Sequence, residues 1–180
     1  MALEADYRIE TFAEAETALA AIIKDPPDLI LLDIGLPGMS GIEVTEKLRQ
    51  EGLSIPILVL SSHNDWHFIL SLFRMGISGY LAKDEAPANI TQAVRAIANG
   101  QGGWISQRMA AAIAMRLEGD QPGNTRLSEL DRQVLYLLSI GKTSEEISAS
   151  LGVKPKKSAS NRSISPSTPP AGTRRAVRWI

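Results

Sequence analysis

Two short runs set the strongest constraint on this chain: Asp28–Asp33 (DLILLD) and Pro56–Leu60 (PILVL). Neither alternates polar with apolar. A strand built from such a run needs cover on both faces, which marks a buried parallel strand. Helical patterns flank them. Tyr7–Phe12 reads as a strand, Ala13–Lys24 as a helix, Gly41–Glu51 and Asp65–Met75 as helices, Gly79–Ala82 as a short strand, and Ala86–Asn99 as a helix. Strand and helix in strict alternation predict a doubly wound α/β sheet.

The pattern changes after residue 104. Ile105–Leu117 is helical, and Glu118–Asn124 (EGDQPGN) reads as a linker. Leu127–Ile140 is an amphipathic helix with Ser128 as N-cap and Asp131 three residues on. Thr143–Leu151 opens with Thr143 as N-cap and Glu146 three places later, and Gly152 ends it. Two short helices joined at a glycine form the front of a helix-turn-helix. Lys154–Gly172 holds five Ser, one Thr and four Pro, with Ile164 its only large apolar residue. Such a segment buries too little to offset its ordering entropy. Thr173–Ile180 (TRRAVRWI) regains apolar character.

The net charge of −1 hides a split: residues 1–150 carry −8 and residues 151–180 carry +7. This is an acidic body with a basic tail able to meet nucleic acid. The chain has no Cys, which excludes disulfides, thiolate metal sites and a Cys nucleophile. No run of 18 apolar residues and no basic leader before an apolar stretch is present, so the expectation is a cytoplasmic protein with no membrane span.

Ligands of open parallel sheets bind beyond the carboxyl ends of the strands. Asp33 and Ser61 close two strands and Lys83 lies just past a third. A carboxylate, a hydroxyl and an ammonium there suit phosphoryl transfer to Asp33, with Lys83 neutralising charge and Ser61 donating to phosphoryl oxygens. A divalent cation would offset the remaining charge. A lone strand-end Asp can equally cap a helix or stand solvated. Bland readings also fit His63 and His67 (too few for a metal site), Trp66, Trp104 and Trp179 (packing), Arg95 and Arg108 (solvated faces) and Leu135, Leu137 and Leu138 (helix core).

Asp28–Gly41 (DLILLDIGLPGMSG), LVLSSHND and GISGYLAKD together resemble the receiver domain of two-component response regulators, with Ser61 28 and Lys83 50 positions after Asp33. The stretch LSELDRQVLYLLSIGKTSEEISASLGVKPK resembles the opening of the helix-turn-helix in the NarL/FixJ (LuxR-type) subfamily. The resemblance covers about Leu3–Lys156 and implies a flavodoxin-like receiver followed by a small, incomplete all-α domain. Asp33 matches the phosphoacceptor, Ser61 and Tyr80 the switch pair, and Lys83 the phosphoryl-binding lysine. The Gly35 carbonyl and Asp33 match Mg2+ ligands. Implied partners are a sensor histidine kinase, DNA, and a second copy once phosphorylated. Thr143, Lys154 and Lys156 are the candidates for DNA contact.

The chain departs from the family in two places. A first βα unit of roughly 20–25 residues is not found before Tyr7. Two apolar strands would then show unpaired edges, and the acidic pair that completes the Mg2+ site would be missing, Glu4 and Asp6 being poorly placed to replace it. After Lys156 the Ser/Pro-rich stretch replaces a recognition helix, although TRRAVRWI again resembles the family's closing helix. Register lost and then recovered is the pattern of two compensating frameshifts; the alternative is a genuinely divergent basic tail that could touch phosphates without sequence specificity. The expected division is a receiver at 1–104, a helix and linker at 105–124, a partial helix-turn-helix at 125–156, and a disordered basic tail at 157–180. The expected function is an impaired response regulator phosphorylated on Asp33 to control transcription, not an enzyme. The alternatives are a receiver-type interaction module without specific DNA binding, or a decayed gene product. An aspartyl phosphohydrolase fits poorly, because Gly35 stands where its second Asp belongs.

Overall fold

All strand pairings in the sheet are parallel, as the continuous apolar runs require. The computed structural model describes residues 7–35, 38–62, 66–119, 128–140, 142, 144–152 and 175–180. In chain order the elements are β1 (Tyr7–Thr11), α1 (Ala15–Lys24), β2 (Leu29–Asp33), α2 (Gly41–Gln50), β3 (Ile57–Ser61), α3 (Trp66–Arg74) and β4 (Gly79–Ala82). They continue as α4 (Pro87–Ala98), β5 (Trp104–Ile105), α5 (Gln107–Gly119), α6 (Glu129–Ser139), α7 (Ser144–Ser150) and β6 (Arg175–Trp179). The strand order is β1-β6-β2-β3-β4-β5.

Local chemistry sets the helix starts. Ser40 and Glu43 form a capping box at α2, the Ser40 hydroxyl accepting from the Glu43 N–H at 3.3 Å and the Glu43 carboxylate accepting from the Ser40 N–H at 2.8 Å. The Ser40 N–H and hydroxyl, both donating to its carboxylate, hold the Glu43 carboxyl below its ordinary pKa. Ser128 and Asp131 form the box anticipated at α6. Pro87 opens α4, where its missing N–H costs nothing.

Strands β2, β3 and β4 are buried on both faces. Ile30, Leu32, Ile57, Val59 and Tyr80 pack with α1, α2 and α3. Leu29, Leu31, Leu58, Leu60 and Leu81 pack with Ala93, Val94 and Ile97 of α4. The first cluster continues into the later helices: Met109 and Ile113 of α5, Val134, Leu135 and Leu138 of α6, and Ile147 of α7 belong to it. Burying each of these larger side chains contributes about 1.5–3 kcal/mol. Arg74 of α3 also pairs with Asp131 of α6.

Arg49 bolts the end of α2 to two neighbouring turns. Its guanidinium donates to the carbonyls of Leu53 (2.7 Å), Ile55 (3.2 Å), Met75 (3.3 Å) and Gly76 (2.9 Å). Burial pushes its pKa down to about 10, so it remains charged at neutral pH.

The C-terminal strand corrects the sequence expectation. Residues 175–179 were assigned to a disordered tail and to a segment resembling a closing helix; they form β6, threaded between β1 and β2. Tyr7 pairs with Arg175, Thr11 with Trp179, Leu29 with Val177 and Leu31 with Trp179. The expected unpaired edges between the first two strands are therefore filled. Residues 157–174 lie outside the described residues. A second strand went unread: Trp104–Ile105 pair with Gly79 and Tyr80, and the following helix starts at Gln107 rather than Ile105. Among the described residues no helix is long and apolar enough to cross a membrane.

Gly79 sits where β4 meets β5. A Cβ there would stand 2.8 Å from the Trp104 carbonyl oxygen and 2.9 Å from Leu58 Cδ1. Gly79→Ala is expected to destabilise the fold by about 1–3 kcal/mol, read as a lowered urea midpoint; an unchanged midpoint would show that the sheet accommodates the methyl.

Candidate functional site

Three adjacent strands end side by side. In β2/β3 register Asp33 lies opposite Leu60, and in β3/β4 register Ser61 lies opposite Ala82. Lys83 follows directly, its backbone N–H donating to the Ser61 carbonyl at 3.0 Å. The fold thus brings Asp33, Ser61 and Lys83 to one edge.

Asp33 is held at both carboxylate oxygens. Lys83 Nζ stands 2.7 Å from Oδ2, and the Gly35 N–H donates to Oδ1 at 2.8 Å. The Asp33 side chain keeps 25% of its surface exposed and Lys83 keeps 41%. The carboxylate thus stays partly open to solvent while its charge is balanced by one ammonium. The loop that follows turns at Gly38, whose φ of +88° favours glycine.

Ser61 is buried beside Asp33's strand and does not face solvent. It shares a face of β3 with Ile57 and Val59, and Tyr80 stands across from Val59 on β4. Their side chains are hydrogen-bonded, with Tyr80 fully buried in the core. Burial pushes the Tyr80 hydroxyl above its ordinary pKa, and the bond with Ser61 pulls it down. Ser61 and Tyr80 are therefore in contact in this structure.

The metal ligands are less complete. Asp33 and Gly35 are adjacent as expected, but Gly35 engages Asp33 through its N–H. Among the described residues no group of three His, Asp, Glu or Cys converges as a metal site. One carboxylate already paired with Lys83, plus one carbonyl, does not complete a divalent-cation site. His63 and the DNA-contact candidates Thr143, Lys154 and Lys156 lie outside the described residues, as do the side chains of Trp66 and His67. Glu4 and Asp6 do so too. Trp104 and Trp179 pack against the second core cluster, Leu135 and Leu138 are buried, and Arg95 is exposed, as their bland readings had it. Arg108, read as solvated, is exposed but pairs with Asp84 at 2.8 Å.

Sequence reasoning missed Arg178. Its side chain is 5% exposed and meets Glu10 at 2.8 Å and Asp25 at 3.3 Å. It donates to the carbonyls of Ala21 (2.8 Å) and Asp25, and lies 6.0 Å from the Phe12 ring centre. The available signal was the R-A-V-R-W-I pattern itself, apolar enough for a strand yet carrying an arginine inside it.

A parallel sheet with an aspartate, a buried hydroxyl and a lysine at neighbouring strand ends defines a receiver-type α/β domain. The chain belongs to the response regulator receiver domain family, whose model matches residues 1–95. It is similar to the response regulator UvrY of Escherichia coli, 30% identical over 132 residues, covering 72% of this chain and 60% of that protein. It is also similar to the nitrate/nitrite response regulator protein NarL of Escherichia coli, 32% identical over 131 residues, covering 71% and 60%. A crystal structure of a LuxR-family two-component response regulator from Aurantimonas superposes with a TM-score of 0.52 at 34% identity, covering 57% of this chain and 73% of that one. The chain thus spans about 60% of the length of these two curated relatives.

Ser61→Ala removes the bond that lowers the Tyr80 pKa and leaves the burial that raises it. The Tyr80 titration is therefore expected to move to higher pH, followed by NMR of 13C-labelled tyrosine. A titration that stays in place or falls would contradict the Ser61–Tyr80 contact.

Proposed function

We infer that this chain is a response regulator of a two-component phosphorelay that accepts a phosphoryl group on Asp33. The observation that carries this reading is the Asp33 carboxylate fixed between the Lys83 ammonium and the Gly35 N–H at the end of β2. An Asp33 oxygen attacks the phosphorus of a phosphohistidine on a sensor kinase. A P–O bond forms and the P–N bond breaks. The electron pair leaves on the imidazole nitrogen, which takes up a proton if it leaves neutral. Lys83 then offsets the charge gathered on the phosphoryl oxygens, and Ser61, at the end of the neighbouring strand, is the hydroxyl we assign to donate to them.

The readout runs through packed helices. Phosphoryl oxygens that draw Ser61 away from Tyr80 would change the core beneath α3. That helix shares its cluster with α5 and α6 and pairs through Arg74 with Asp131. The α6–α7 segment is the part that resembles a LuxR-type helix-turn-helix, so transcriptional control through DNA is the output we assign, with dimer formation on phosphorylation. The chain acts as a signalling protein rather than an enzyme.

Incubation with acetyl phosphate and Mg2+ tests the acceptor. Intact mass is expected to rise by one phosphoryl group, and Asp33→Ala is expected to abolish the gain. Lys83→Ala is expected to slow labelling by about 10²-fold, the usual scale for losing one preorganised charge partner. Labelling that survives Asp33→Ala would overturn the assignment.

A further inference from the structure

We propose that β6 positions the phosphoacceptor and that Arg178 is the positioning residue that keeps β6 in place; this rests on the reading of Asp33 as the acceptor. The link is in the backbone. The Asp33 N–H donates to the Ile180 carbonyl at 2.8 Å, and the Ile180 N–H donates to the Leu31 carbonyl at 3.0 Å. On the other side the Ile34 N–H donates to Leu60 at 3.3 Å. The main chain at Asp33 is therefore gripped from β3 and from the end of β6. Without β6, β2 becomes an edge strand and the Asp33 amide loses its acceptor.

Among the described residues the preceding strand, β5, ends at Ile105 and β6 begins at Arg175, so β6 is not held as the second arm of a hairpin. Its own groups do the holding. Asp28 clamps one peptide unit from two directions, its N–H donating to the Ala176 carbonyl at 2.9 Å and its carboxylate accepting from the Ala176 N–H at 2.8 Å. Val177 and Ile180 are buried in opposite clusters. Arg178 fills a pocket at the carboxyl end of α1, where the carbonyls of Ala21 and Asp25 carry the negative end of the helix dipole and Glu10 and Asp25 add carboxylates. A planar fork with five donors satisfies those acceptors together, which an ammonium cannot do. The anchor lies two residues before Ile180, so loosening it releases the carbonyl that holds Asp33. A displacement of about 1 Å at a reacting group commonly costs about 10²-fold in rate.

The test uses the full chain. Arg178→Glu sets a carboxylate against the acidic pocket, Arg178→Lys keeps charge without the fork, and Asp28→Ala loosens the clamp without touching the pocket. Each is measured by amide hydrogen exchange at Asp33 and by Asp33 labelling with acetyl phosphate, with and without a synthetic peptide of sequence TRRAVRWI. Arg178→Glu is expected to lose protection at the Asp33 amide while β3 and β4 keep theirs. Its labelling is expected to fall at least tenfold, and the peptide to restore both. Arg178→Lys and Asp28→Ala are expected to shift the same readouts by less. Unchanged Asp33 protection in Arg178→Glu, or peptide that restores neither readout, overturns the proposal. If the parent chain itself takes no phosphoryl group, the acceptor reading fails, and the exchange results still decide whether β6 holds Asp33.

Discussion

The backbone of β2 must be satisfied on both edges, and the rest of the structure is arranged around that requirement. Leu29, Ile30, Leu31 and Leu32 are buried, so neither side of this strand can hand its N–H and C=O groups to water. On one side β3 supplies partners, and on the other β6 does. Because β6 also carries β1, a single five-residue strand closes the sheet and docks its outermost member. The face that covers α1, the placement of Asp33 and the burial of Arg178 all follow from that insertion.

The site shows how a charged group is kept reactive at the rim of so apolar a sheet. Asp33 has one cationic partner and one neutral donor and retains partial exposure. Ser61, one strand over, is turned inward and bonded to Tyr80. The hydroxyl is thus tied to a core tyrosine while its strand ends beside Asp33. The core it belongs to extends through α3 into α5 and α6, so a change at Ser61 has a continuous packed route to the C-terminal helices.

Much of this was legible in the residues. The buried strands announced themselves because DLILLD and PILVL are apolar without alternation, and the receiver motifs fixed the order of Asp33, Ser61, Tyr80 and Lys83. The Ser128 cap was legible because capping is local, needing only a hydroxyl and a carboxylate three residues on. What escaped was non-local. Trp104–Ile105 is too short to show a period, and only its pairing with β4 makes it a strand. RAVRWI follows a Ser/Pro-rich stretch, and its arginine is buried only because the carboxyl end of α1 and two distant carboxylates meet there. No sequence window contains both halves of that pocket. The bond from the Gly35 N–H to Asp33 also escaped, because it is set by loop geometry rather than by residue type.

The insertion of β6 also bears on how the chain is made. Strands β1 and β2 are synthesised before the strand that lies between them, which follows every other described element. During synthesis the nascent chain carries an open slot flanked by apolar surface, and cannot close it until more than a hundred further residues have emerged. That slot is exposed for the whole interval, so the yield of folded protein should depend on chaperone supply and translation speed.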